Sequence, residues 1–296
     1  MNVEMAYLLG LICGNGTIKR GNSSTLVSID IPHKKLETED FHDVKLYVKA
    51  SITDIRKILE PLIGTSFGFI QKDTVTVLSF EKQNNEYVMR EILRFIGNAS
   101  SHDNIRLNIE IFNFKKEEKI YFLRGFSDVT GYIRRSNYYF YKYKHRVYIE
   151  IPHNWELVID IANLLKLVDI PIQTIDWAHP NMRDGNLRKY NQGNTAFWKK
   201  EHQIKIWVNE FLPIGFGILH KQQALEAYNK EFLAGFTIDG IDPKNYTHHF
   251  YWEKASKTKA AKAIHPSEKD AFIPNKIRGV HYDSWKDIAR DLGYEK

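Results

Sequence analysis

Two apolar runs in different parts of the chain share one layout. The first is Ala6-Tyr7-Leu8-Leu9-Gly10-Leu11-Ile12-Cys13-Gly14-Asn15-Gly16, and the second is Tyr121-Phe122-Leu123-Arg124-Gly125-Phe126-Ser127-Asp128-Val129-Thr130-Gly131. Each reads as a helix with a Gly in its middle and a Gly at its end. Each leads straight into a strand-like segment. Matching runs of this kind predict an internal duplication.

The segments between the runs support that prediction. Thr17–Arg20 and Thr25–Ile31 read as a hairpin around the turn cluster Gly21-Asn22-Ser23-Ser24, with Pro32 ending the second strand. Apolar residues at helical spacing over 51–60 predict a helix with Ser51 as N-cap and Asp54 as its capping-box partner. Short strands over 67–70 and 75–80, a helix over 85–95 and a bridging segment over 109–114 complete the half. The same order returns: strands over 132–135 and 138–151, then a helix over 155–167 capped by Asn154 and broken by Pro171. Strands over 173–177 and 203–208, separated by a long polar loop, and a helix over 220–232 follow. The predicted class is α+β, with two pseudo-symmetric αββαββα halves. The expected domains are residues 1–117, 118–239 and a C-terminal extension over 240–296.

The extension fits neither half. It has a Lys-rich stretch over 254–262 and a predicted short helix over 284–292. A third echo, Phe232-Leu233-Ala234-Gly235-Phe236-Thr237-Ile238-Asp239-Gly240, is one residue short of the pattern. It reads either as a repeat remnant or as a helix ending in a Gly cap.

Gly10 and Gly125 occupy matching positions. A Gly inside a helix costs roughly 0.5–1 kcal/mol against Ala, so its double appearance predicts a helix interface that a side chain would block. Gly16 and Gly131 are expected to adopt the left-handed turn that sends each helix into its strand.

Composition narrows the function. A hydrophobic fraction of 43% in 296 residues supports a full core. No long apolar run predicts a membrane span, and no signal-type segment stands at the start. The single Cys13 excludes an internal disulfide and a cysteine-built zinc site, and no HxxxH or HExxH spacing suggests another. An intracellular setting is expected, cytoplasmic (nucleoid) or organellar. The formal net charge of +6, with 16 Tyr and 6 Trp, is compatible with a nucleic-acid partner.

With those residues in view, the two runs resemble the signature of the LAGLIDADG homing endonuclease family, in its single-chain, two-repeat branch. Phe122–Phe126, preceded by Ile111-Phe112-Asn113 and a Lys/Glu-rich stretch, is typical of how the second repeat begins there. The resemblance extends over residues 5–232 in element order, though only the two runs are specific. It implies paired helices at a central interface and two curved antiparallel sheets forming a saddle in the DNA major groove. It also implies a carboxylate at the foot of each helix that binds a divalent metal, usually magnesium, for cutting both strands.

Here the implied carboxylate positions hold Asn15 and Thr130. Magnesium takes oxygen ligands, most often carboxylates and water, and metal ions serve phosphodiester hydrolysis by activating water and stabilising the leaving oxygen. An Asn carbonyl ligates without charge, and a Thr hydroxyl is weaker. Asp128 matches a position commonly acidic in the family but not the ligand; its counterpart is Cys13. The candidate catalytic positions are therefore Asn15, Thr130 and Asp128, with Asn15 and Thr130 the candidate metal positions. The expected cofactor is Mg2+ if the protein cuts, and none otherwise.

Strand alternation places Lys142, Lys144 and Arg146 on one face. Lys19, Arg20, Arg134 and Arg135 lie in the strands that follow the runs. Arg183, Arg188, Lys189, Lys199, Lys200 and Lys205 form a second basic cluster. These are the candidate DNA contacts, phosphates giving salt-dependent affinity and base edges giving specificity. The expected function is sequence-specific double-stranded DNA binding by a monomer, with metal-dependent cleavage weakened or lost. The alternatives are an endonuclease with unusual ligands, recruiting Asp128, Asp239 or a water-bridged site, and an intron RNA maturase binding structured RNA.

Overall fold

The computed structural model describes residues 1–38, 43–135, 145–172, 174–176 and 201–238. The candidate residues Lys142, Lys144, Arg183, Arg188, Lys189, Lys199, Lys200 and Asp239 and the expected extension lie outside these residues, as does the side chain of Arg135.

The first half runs α1 (Val3–Asn15), β1 (Gly16–Arg20), β2 (Ser24–Pro32), α2 (Val44–Ile63), β3 (Gly68–Gln71), β4 (Val75–Gln83) and α3 (Tyr87–Ile96). After the short α4 (Ile109–Phe112), the second runs α5 (Lys116–Thr130), β5 (Gly131–Arg135), β6 (His145–Pro152), α6 (Trp155–Leu167), β7 (Thr174–Asp176) and β8 (Glu201–Trp207). It ends in α7 (Val208–Phe211) and α8 (Leu219–Ile238). The two antiparallel sheets have equivalent orders, β1-β2-β4-β3 and β5-β6-β8-β7. The class is α+β, and the duplication is real at the level of topology.

The centre of the molecule is the pair α1 and α5. Residues Met5 to Gly14 of α1 are all buried, so this helix is covered on every side. A Cβ on Gly10 would run into the Phe122 carbonyl oxygen, and it would lie 2.7 Å from the Phe126 nitrogen. A Cβ on Gly125 would run into the Tyr7 carbonyl oxygen. Backbone thus meets backbone at two symmetry-related places, as the matching glycines predict. Gly14 is a third close contact, with Val129 Cγ2 2.6 Å from where its Cβ would stand.

The closing glycines differ from expectation. Gly16 has φ −89° and ψ 153°, and Gly131 has φ −100° and ψ 151°, both extended rather than left-handed. Each helix passes directly into its strand without a reversal. The requirement for Gly is steric: a Cβ would press on the Ile12 backbone at position 16 and lie 2.7 Å from the Ser127 oxygen at position 131.

The helix predicted from Ser51 begins earlier. Its N-cap is Asp43, whose carboxylate accepts from the Lys45 and Leu46 nitrogens at 3.0 and 3.2 Å. Ser51 is buried in the helix interior and donates to the Tyr47 carbonyl at 2.8 Å. Asn154 caps α6 as predicted, accepting from the Leu157 nitrogen at 3.0 Å. The last helix continues past residue 232 to Ile238, so the helical part of the third echo belongs to α8.

Two reciprocal grips hold the halves together around the central pair. Asp160 of α6 takes the Leu107 nitrogen at 2.9 Å and the Arg106 guanidinium at 2.9 and 3.0 Å. Asp54 of α2 takes the Leu219 nitrogen at 2.9 Å, while His220 Nε2 lies 2.7 Å from the Leu36 oxygen. Among the described residues, no helix is long and apolar enough to cross a membrane.

The notch makes a signed prediction. Ala normally stabilises a helix interior relative to Gly by about 1 kcal/mol. Gly125→Ala should instead destabilise the protein by about 2–4 kcal/mol in urea unfolding, because two backbones must separate. Gly68→Ala, where the nearest atom is the rotatable Ser79 Oγ at 3.2 Å, should change stability far less.

Candidate nucleic-acid interface

Each sheet has one face on the helices and one turned away from them. The helix face of the first sheet carries buried Ile18, Val27, Ile29, Leu78 and Phe80. That of the second carries buried Ile133, Val147, Ile149, Ile204 and Ile206. Alternation then assigns the other face from the cross-strand register.

In the first sheet that open face has three rows: Asp30-Val77-Ile70, Thr17-Ser28-Ser79-Gly68, and Lys19-Leu26-Glu81. In the second it has Glu150-Gln203-Asp176, Tyr132-Tyr148-Lys205-Thr174 and Arg134-Arg146-Trp207, with Glu150 and Gln203 buried. The pseudo-symmetry sets Leu26 opposite Arg146, Ser79 opposite Lys205 and Lys19 opposite Arg134. The second sheet carries Arg134, Arg146 and Lys205 on this side, beside Glu150 and Asp176. The first sheet carries Lys19 beside two carboxylates.

The predicted cations do not share one environment. Lys19 and Arg134 are exposed on their open faces. Arg146 is half-buried, its guanidinium 4.5 Å from the Trp207 ring centre. Lys205 is only 9% exposed, with its ammonium 5.4 Å from the Tyr148 ring centre, so its charge is largely withdrawn from the surface. Arg20 is a correction. Its guanidinium donates to the Gly97 and Asn98 carbonyls at the end of α3, the second at 3.3 Å, because alternation turns it away from the open face. It acts there as a helix C-cap.

Between the halves, the turn His33–Lys35 reaches from the end of β2 to the open face of the second sheet. Lys35 forms a buried ion pair with Glu150 and lies 4.7 Å from the Tyr132 ring centre. Glu150 also accepts from Tyr132 Oη at 2.8 Å and from Gln203 Nε2 at 2.6 Å. Tyr132 stacks on Tyr148 with ring centres 5.2 Å apart. These contacts bound a cavity of about 380 Å³ that also touches Lys34, Glu37 and Arg134. Its members come from three distant segments, so no local pattern along the chain reveals this junction.

At the helix feet, both candidate metal positions turn their side chains to the interface. Asn15 Nδ2 donates to the Val129 carbonyl of the opposite helix at 3.0 Å. Thr130 is buried and donates to the Phe126 carbonyl at 2.7 Å. Asp128 does not stand in for them. It is fully buried, accepts from Tyr7 Oη at 2.6 Å and the Gly217 nitrogen at 2.9 Å, and its other oxygen lies 3.5 Å from the Ile218 nitrogen. Burial raises its pKa, against the lowering effects of Lys221 and these donors. The same burial, with Asp128 beside it, pushes the Tyr7 hydroxyl well above its ordinary range. Among the described residues, no three His, Cys, Asp or Glu side chains converge as a metal-binding group. A neutral amide and a helix-bonded hydroxyl are a poor donor set for magnesium, so these residues do not fit that ion.

Lys221 is a residue that sequence reading missed. Buried near the start of α8, its ammonium donates to the Ser127, Asp128 and Gly131 carbonyls at 3.2, 3.0 and 2.8 Å. It thereby caps the carboxyl end of α5, where free carbonyls and the helix dipole favour a cation. Burial lowers its pKa to about 8, with Asp128 opposing the shift.

No protein-family model matches the chain, and no curated protein matches it. Solved structures do. I-DmoI in complex with DNA and Mn is 16% identical over 71% of this chain and 93% of that one, with a TM-score of 0.36. The I-LtrWI LAGLIDADG homing endonuclease bound to target DNA is 11% identical over 82% and 94%, with a TM-score of 0.42. The LAGLIDADG meganuclease I-AabMI bound to uncleaved DNA is 10% identical over 82% and 95%, also at 0.42. Likenesses this distant carry no functional weight, and function must be read from this chain's own residues.

Lys221 has a pH signature. Its folded pKa lies below the unfolded value of 10.5, so the unfolded chain holds more protons between about pH 8 and 10.5 and stability rises with pH there. Urea unfolding should show wild-type stability gaining up to about 3 kcal/mol across that window relative to Lys221→Met. Buried Cys13 and Tyr7 have raised folded pKa values and oppose the gain above about pH 9 and pH 10, but they act alike in both proteins, so the difference isolates Lys221.

Proposed function

We propose that the protein is a LAGLIDADG-type, sequence-specific binder of double-stranded DNA that does not use its helix feet for metal-dependent cutting. The observation that carries this reading is the pair of glycine-notched helices in backbone contact, each feeding the first strand of its own sheet. Two sheets related in this way present two open faces joined at the Lys35–Glu150 junction. Exposed Lys19 and Arg134 hold equivalent positions on them.

Support for lost cutting comes from the chemistry of the feet. Hydrolysis assisted by magnesium needs carboxylates that hold the ion near the scissile phosphate. Asn15 places its amide nitrogen on the opposite helix's Val129 carbonyl, and Thr130 donates its hydroxyl to the Phe126 carbonyl of its own helix; neither side chain brings negative charge. Asp128 is committed to Tyr7 and to the 217–218 backbone. Neutral feet also remove the repulsion that two carboxylates would suffer beside two helix C-termini.

The test uses the full chain on a randomised duplex library. Bound duplex should be recovered with an affinity that falls steeply with salt, and it should remain uncut with magnesium or manganese. Cutting that stops in Asn15→Ala would overturn the second half of the reading. Binding of structured RNA with no enrichment of any duplex would overturn the first.

A further inference from the structure

The two open faces occupy equivalent places and have different chemistry. Where the second sheet has Arg146, the first has Leu26; where the second has Gln203, the first has Val77. Ile70, beside Val77, is 63% exposed, an unusual position for a large apolar side chain. Asp30 is exposed beside Val77 on its other flank, and among the described strand residues paired on this face Lys19 is the one cation. A row of small hydroxyl side chains, including Ser28 and Ser79, separates the apolar positions.

Major-groove chemistry distinguishes the base pairs that such a face can meet. Guanine offers two acceptors, O6 and N7, and is read by Arg or Lys. An A·T pair offers the thymine C5-methyl group and the adenine N6 amino donor. A methyl needs an apolar partner, and an amino donor needs an acceptor such as a carboxylate or hydroxyl oxygen. The first sheet supplies both and has a single candidate for guanine.

We propose that the first sheet reads A·T pairs through thymine methyl groups. Leu26, Val77 and Ile70 take the methyls. Arg134 and Arg146 make the second half-site the one that tolerates guanine. This inference rests on the duplex-binding reading and deepens it. The Lys35–Glu150 junction makes the two faces continuous, so one duplex crosses both.

The experiment starts from duplexes enriched by the full chain out of a random library. Thymines in each half of the enriched site are then replaced by uracil, which removes only the methyl group. In the half under the first sheet, binding should weaken about fourfold per contacted methyl, the equivalent of about 0.8 kcal/mol. In the other half it should not change. Leu26→Arg, which copies Arg146 at a half-buried surface position, should shift the enriched base toward guanine and remove one uracil-sensitive position. Enrichment of a site indifferent to uracil in both halves would overturn the inference and leave duplex binding standing. Failure to enrich any duplex would instead overturn the reading beneath it.

Discussion

Backbone contact between α1 and α5 is the constraint from which the rest follows. Gly10 meets the Phe122 carbonyl, and Gly125 meets the Tyr7 carbonyl. At that separation no side chain fits, and a small displacement of either helix would reopen the interface. The two strands β1 and β5 start at the ends of these helices without an intervening turn. The position of each sheet is therefore fixed by the helix pair. The Asp54 and Asp160 grips then close the outer contacts with charged oxygens on linker amides.

The same closeness shapes the chemistry at the helix feet. Asn15 and Thr130 are both hydrogen-bonded to backbone. The negative ends of the helices still need compensation. On α5 that compensation is Lys221, a buried ammonium on three carbonyls. A fixed internal cation and neutral feet make a stable interface, and they make it without a metal ligand set.

What the sequence made legible was whatever depends on neighbours along the chain. The duplicated runs, the glycine notches, the order of strands and the Asn154 cap all follow from local pattern. The face of each strand was also legible: alternation along Thr17–Lys19 and Leu26–Asp30 separates the open side from the buried one. Partners distant in sequence were not legible. Arg20 looked like a DNA contact until the end of α3 came within reach. Lys221 looked like an ordinary polar residue at the start of a helix, because its three acceptors lie in another element. Lys205 lost its expected exposure to the Tyr148 ring. The start of α2 was hidden by a mixed stretch over 44–50, while Ser51 imitated a cap that Asp43 provides.

Both open faces must meet one duplex for this account to hold, and photo-crosslinking tests that directly. A photoreactive side chain placed at Lys19, on the first sheet, or at Arg134, on the second, should crosslink the same enriched duplex. Their crosslinks should fall on opposite sides of its centre. The same group at exposed Arg90, on α3 and away from the open faces, should give none. Crosslinks from Arg90 with silence at Lys19 and Arg134 would contradict the account.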